Sequence, residues 1–188
     1  MDWKYSIQNF DNKLVQAINS LHSPWLDEVM LFLSAKTTWL PLYVGLVLLV
    51  IFKFKKQSWF CLLCLAVCVF ITDRFSSGVA KPFFERLRPC YNDDLVLYLL
   101  TSCGGKYGFF SSHAANAFGL SVYISCVLKN KLFGSILYIL AVLVAISRVY
   151  LGKHYFTDIL VGSLFGSLVA YIIYCVFRYG LNKKFFKL

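Results

Sequence analysis

The sequence predicts an all-α protein: a polytopic membrane helix bundle of about five transmembrane helices, preceded by an amino-terminal interfacial helix. Three observations predict it. Of 188 residues, 59% are hydrophobic and only 15% charged, an apolar share well above that of soluble domains. Several apolar stretches reach the roughly 20 residues that a helix needs to cross a hydrocarbon core of about 30 Å. Lysines also gather beyond alternate ends of those stretches, as they do in membrane proteins of fixed orientation.

Residues 4–21 place Ile7, Phe10, Leu14, Ala17 and Ile18 at helical spacing, with Asn12, Lys13 and Asn19 interspersed. This pattern suits a helix lying in the membrane interface over 1–25, and equally one packed on the bundle. Crossings are expected at 26–52, 57–79, 112–128, 132–149 and 156–177. The first is the least regular: Asp27, Glu28 and Lys36 occupy its opening part, and the apolar run from Trp39 to Phe52 is short, so it should begin interfacial or tilted. In the last, Gly162-x3-Gly166 with Ser163, Ser167 and Ala170 predicts a close-packing seam between helices. The amino terminus lacks a basic stretch, apolar run and small-residue cleavage site in succession, so the chain is expected to be retained whole. No repeat or low-complexity tract divides it, which predicts one domain over 1–188.

Lys53, Lys55 and Lys56 follow the first crossing, Lys129 and Lys131 the third, and Arg178, Lys183, Lys184 and Lys187 the last. With alternating helices these fall on one face, expected to be cytoplasmic. The expected location is the inner (plasma) membrane, with the loop 80–111 and the turn 150–155 facing the periplasm or exterior. The net charge of +10 then reflects topology and anion binding. Nucleic acid is excluded as a partner because the basic residues are split between two faces and form no groove. No obligate protein partner is evident. Cys61, Cys64, Cys68, Cys126 and Cys175 lie in apolar spans as small hydrophobes, whereas Cys90 and Cys103 share the exterior loop, where a bridge is possible.

Three polar clusters interrupt the apolar background: Lys81 with Arg88-Pro89, then Ser111-Ser112-His113, then Ser147-Arg148 with His154 and Asp158. Taken singly, each has a structural explanation. A basic loop meets lipid headgroups, serines before an apolar run cap a helix, and a histidine at a helix start is an ordinary interfacial residue. Asp73 and Arg74 either pair with each other or position the first cluster. Asp93-Asp94 reads as solvated loop.

Taken together, the clusters gather at the outer ends of the crossings, two of which begin there and present free amides and a favourable dipole to an anion. Two imidazoles, several cations and hydroxyl donors suit a phosphate monoester or diphosphate. Histidine is also suited to supply a nucleophile and a proton donor near neutral pH. His154 and Asp158 are four apart, so the carboxylate can hold one ring nitrogen and leave the other free to attack. His113 remains as the acid.

These residues resemble the signature of the type 2 phosphatidic acid phosphatase superfamily. Lys81 to Pro89 matches its Lys-x6-Arg-Pro, and Ser147, Arg148, His154 and Asp158 match its Ser-Arg-x5-His-x3-Asp. Of Pro-Ser-Gly-His, only Ser111 and His113 match: Phe110 stands for the proline and Ser112 for the glycine, where a hydroxyl either crowds the site or adds a donor. The resemblance implies metal-independent hydrolysis without a cofactor, through a phosphohistidine on His154. Asp158 would orient His154 and His113 would protonate the leaving group. Lys81, Arg88, Ser111, Ser112 and Arg148 would hold the phosphoryl oxygens. The implied partners are the bilayer and a membrane lipid phosphate. Undecaprenyl diphosphate comes first because the site faces outward; lipid A, phosphatidylglycerophosphate and phosphatidic acid stay open. A non-catalytic lipid-phosphate binder or transporter is the second reading, and it leaves both histidines without a task.

Overall fold

The computed structural model describes residues 3–182, so Lys183, Lys184 and Lys187 of the expected basic face lie outside the described residues. The chain forms α1 (Trp3–Asn19), α2 (Pro24–Ser34), α3 (Leu40–Phe54), α4 (Ser58–Phe75), α5 (Lys81–Phe84), α6 (Ser112–Leu128), α7 (Lys131–Tyr150) and α8 (Phe156–Asn182). α7, α8 and the run from Thr37 to Phe84 are long and apolar enough to cross a membrane. Their exposed faces carry side chains such as Phe52, Ile139, Leu164 and Leu168, which suits contact with lipid.

α6 is the central helix. Its buried face uses small residues, Ala114, Ala115 and Gly119, that let α8 approach closely. A Cβ added at Gly166 would lie 2.0 Å from the Ala115 carbonyl oxygen, and one at Gly162 would lie 2.6 Å from that of Ser111. The seam expected at Gly162-x3-Gly166 is therefore the α6–α8 contact. On the other side, Cys61, Cys64 and Cys68 form a buried stripe of α4 facing α6, and the Tyr123 hydroxyl donates to the Cys61 carbonyl at 2.9 Å. At the far end Lys53 donates to the Leu128 carbonyl at 2.7 Å, tying α3 to the end of α6.

The crossing expected over 26–52 is two helices. α2 lies against α7, where Asp27 accepts from the Tyr150 hydroxyl and Ser34 from Arg148, and the chain breaks at 35–39 before α3 starts. Of the charges that made this stretch irregular, Asp27 is thus held in a tertiary contact. The second crossing runs past its expected end at 79. Pro82 lacks an N–H and crowds the carbonyl four residues back, a conflict met by a π-helical turn over Ser76–Ala80. Helical structure consequently continues to Phe84 and carries Lys81 on its last turn, so the loop expected to begin at 80 begins at Glu85.

α1 packs on α7 and α8 with one edge of its apolar stripe, where Ile18 joins Val15 against the bundle, and not with the middle of that stripe. The buried stripe is Asp11, Val15 and Asn19, while Ile7 is 42% and Phe10 53% exposed. Asn19 donates to the carbonyls of Tyr98 and Tyr150 at 2.9 and 2.7 Å, and its own carbonyl accepts from the Tyr98 amide at 2.7 Å. The 85–111 loop is held by an antiparallel bridge between Leu87 and Tyr107, and by a Cys90–Cys103 disulfide with a Cα separation of 6.2 Å. The Cys90 amide donates to the Gly152 carbonyl at 3.1 Å, which ties this loop to the α7–α8 turn.

The seam makes a paired prediction. Gly166→Ala should destabilise the protein by roughly 1–3 kcal/mol through overpacking against Ala115. Gly45→Ala on α3, where a Cβ meets nothing within 4 Å, should not. Thermal unfolding in detergent checks both.

Candidate active site

The third cluster is built by the turn that starts α8. Asp158 sits in the first turn of that helix, and its Oδ2 accepts from the Tyr155 amide at 3.0 Å, the return bond of a capping box. His154 lies just ahead of Tyr155, outside the helix. The expected His154–Asp158 contact is therefore made through this N-terminal turn and not along one helix face. Nδ1 of His154 is 3.5 Å from Oδ2 of Asp158, longer than an ordinary hydrogen bond of about 2.7–3.2 Å. Nδ1 has no hydrogen-bond partner among the described residues, so the pair is an ion–dipole contact that a reacting group can tighten.

His154 is buried, 2% exposed. Burial, and then the charges of Arg148, Arg88 and Lys81, push its imidazole well below the ordinary histidine value. The ring is thus neutral near pH 7, with a lone pair available. The same cations that depress it await an anion.

Those cations come from separate elements. Lys81 projects from the start of α5 and donates to the Ser112 hydroxyl at 2.9 Å. Arg88 is fixed in the loop: its backbone amide donates to the Lys106 carbonyl and its Nε to the Tyr107 carbonyl, each at 3.2 Å. Arg148 ends α7, donates to Ser34, and has a buried Nε without a partner among the described residues, a donor that a phosphoryl oxygen would satisfy.

Lys81, Arg88, Ser112, His113, Arg148 and His154 line one cavity of about 1100 Å³. The cavity continues between α3, α4, α6 and α7 past Leu62, Leu65 and Leu120 as far as Ser121. Ser121 is nine positions beyond Ser112, about 13 Å further along α6 at 1.5 Å per residue. A polar head and an apolar channel therefore form a single space. Lys36, Asp73 and Arg74 also line it. Arg74 lies over the Phe70 ring at 5.6 Å, and no Asp73–Arg74 ion pair forms among the described residues.

Two of the candidate residues stand apart from the cavity wall. Asp158 lies behind His154, and Ser111 is fully buried, its hydroxyl accepting from the Ala114 amide at 3.4 Å as the N-cap of α6. The departures from the second motif have local partners. The Ser112 hydroxyl contacts those of Ser76 at 2.8 Å and Ser77 at 3.2 Å besides Lys81, so it holds the lysine and does not crowd the site. Phe110, 3% exposed, packs against Phe75 and Phe165.

Sequence reasoning missed Arg86 and Asp11. Arg86 NH1 donates to Asp158 Oδ1 and NH2 to Asp11 Oδ2, at 2.8 and 2.6 Å. Asp11 also accepts from the Thr157 amide at 3.1 Å, capping α8 from another helix. A signal existed for Asp11: it is a lone carboxylate in helical register with Ile7, Leu14 and Ile18. Arg86 gave none beyond its place in a basic loop.

A family model described as the PAP2 superfamily matches residues 57–181. Lipid A 4'-phosphatase of Porphyromonas gingivalis is 32% identical over 94% of this chain and 77% of its own length. Phosphatidylglycerophosphatase B of Bacillus subtilis is 33% identical over 89% of this chain and 83% of its own. A solved transmembrane PAP2-type phosphatidylglycerolphosphate phosphatase from Bacillus subtilis superposes with a TM-score of 0.72 at 29% identity, covering 97% of this chain and 89% of that one.

The lysine contact makes a prediction for Ser112. A hydrogen bond to a charged group contributes about 1.5–3 kcal/mol to stability, so Ser112→Ala should lower the unfolding temperature and, by releasing Lys81, raise KM for a phosphorylated lipid. Steady-state phosphate release at several lipid fractions measures it.

Proposed function

The chain belongs to the PAP2 superfamily, and we propose that it hydrolyses a phosphate or diphosphate group from a membrane lipid through a phosphohistidine on His154. The observation that carries this reading is the neutral, buried His154 at the polar head of an apolar cavity, ringed by Lys81, Arg88 and Arg148. The lipid keeps its chain in the apolar part, opposite Leu62, Leu65 and Leu120, and presents its phosphoryl group to the cations.

The steps follow from the groups present. With Nδ1–H directed at Asp158, the Nε2 lone pair of His154 attacks phosphorus. The N–P bond forms as the P–O bond to the lipid breaks, and the leaving oxygen takes a proton from His113. A water then attacks phosphorus, gives its proton to His113, and phosphate departs with His154 restored. Lys81, Arg88 and Arg148 neutralise charge on the phosphoryl oxygens throughout. The Ser112 hydroxyl joins them through Lys81, and Ser111 contributes by setting the start of α6. No step calls on a metal or a cofactor.

Undecaprenyl diphosphate is the first substrate of this proposal. Lys36 and Arg74 line the cavity beyond the three motif cations, against the single carboxylate of Asp73, more positive charge than one phosphoryl group requires. The lysine-bearing end, with Lys53, Lys55, Lys56, Lys129 and Lys131, is proposed to face the cytoplasm, which sets the site at the outer leaflet of the plasma membrane.

Phosphate release in EDTA from undecaprenyl diphosphate, phosphatidylglycerophosphate, phosphatidic acid and lipid A tests the reading. Release should persist in EDTA, disappear in His154→Ala and fall roughly 10²–10⁴-fold in His113→Ala. A strict need for added magnesium, or full activity in His154→Ala, would sink the mechanism. Binding without release from any of the lipids would favour the non-catalytic reading.

A further inference from the structure

Asp158 and Asp11 are both fully buried carboxylates, and the Arg86 guanidinium lies between them. Two carboxylates withdrawn from water require a counter-charge, and with His154 neutral the nearest one is Arg86. Both of its terminal nitrogens are committed. NH1 donates to Asp158 Oδ1 and to the Thr157 hydroxyl at 2.7 Å, and NH2 donates to Asp11 and to Gln8 at 3.0 Å. The face of the guanidinium lies 4.2 Å from the Tyr155 ring centroid. Arg86 is absent from the walls of the phosphate-facing cavity. It therefore acts on the site from behind.

The geometry has a directional consequence. With Oδ1 of Asp158 held by Arg86, and with the Arg86 carbonyl accepting from the Gly108 amide at 2.8 Å, the carboxylate is fixed with Oδ2 toward Nδ1 of His154. Gly108 lies against the carboxylate: a Cβ there would be 3.1 Å from Oδ2, closer than an ordinary van der Waals contact. Asp11 anchors the arrangement from α1, both through Arg86 and through its bonds to Thr157 at the start of α8.

We propose that Arg86 is a positioning residue that aims Asp158 at His154, and that Asp11 makes α1 a working part of the active site by holding Arg86. The inference rests on the assignment of His154 as nucleophile. An arginine in this place does not touch substrate, so its removal should act on kcat and on the state of the His154 ring while sparing substrate binding.

The test compares wild type, Arg86→Ala, Arg86→Lys, Asp11→Asn and His154→Ala of the full chain in detergent micelles, with phosphatidic acid as substrate. Arg86→Ala should lower kcat about 100-fold with KM within about three-fold. Added guanidinium at millimolar concentration should restore part of that loss, and Arg86→Lys should fall between. Asp11→Asn, the milder change, should lower kcat about ten-fold and keep the unfolding temperature. A second readout needs no turnover. With three histidines in the chain, [15N]-histidine spectra resolve the His154 ring, and its Nδ1-protonated form should be lost or averaged in Arg86→Ala. Wild-type kcat in Arg86→Ala, or a loss that guanidinium does not rescue together with an unchanged His154 spectrum, would overturn the proposal. Activity surviving in His154→Ala would instead count against the nucleophile, and the ring spectrum would still decide whether Arg86 sets the His154 tautomer.

Discussion

The structure turns on one fully buried carboxylate. Asp158 receives the Tyr155 amide and Arg86 on its side chain, stands 3.5 Å from His154, and its backbone carbonyl accepts from the Ser111 amide at 3.1 Å. The start of α8, the start of α6, the 85–111 loop and, through Arg86 and Asp11, α1 are all referred to that residue. Burying an ion is costly unless it is paired and hydrogen-bonded. Every element that meets Asp158 therefore has one geometry that satisfies it, and that geometry sets the end of the bundle where the motif residues gather.

The remaining helices hold this end in place by a different force. In the middle of the bundle the packing is small against small, with Gly162 and Gly166 of α8 meeting the α6 backbone and Cys61, Cys64 and Cys68 of α4 on the opposite side. Close backbone approach replaces the hydrophobic drive that lipid-facing side chains lack. It also brings the two helix starts, with His113 and His154, to one cavity. The cavity then descends between α3, α4, α6 and α7, so that its charged head and apolar channel form one continuous space.

Much of this was legible in the sequence, for a physical reason. Helices that cross a bilayer must be apolar and long, so their positions follow from composition, and polar residues at their ends stand out against that background; Lys81, Arg88, His113, Arg148, His154 and Asp158 were found that way. What escaped was tertiary. The break at 35–39 depends on Asp27 and Ser34 finding Tyr150 and Arg148, partners more than a hundred residues away that no local pattern announces. The inward face of α1 was left open because apolar periodicity marks the side avoiding water, and in a membrane protein that side can face lipid; Asp11 and Asn19 are buried inward while Ile7 and Phe10 stay exposed. Ser112 was left open between crowding and donating because its outcome depended on Ser76 and Ser77, which the π-helical turn before Pro82 brings alongside.

The central claim is that the buried imidazole ahead of α8 forms the covalent bond to phosphorus. Rapid-quench reaction with a phosphorus-32-labelled lipid phosphate, followed by alkaline isolation and peptide mapping, tests it most directly. The account predicts an alkali-stable, acid-labile label on the peptide carrying His154, appearing before free phosphate and absent when His154 is replaced. Label on another residue, or full turnover with no labelled protein at any time, would contradict it.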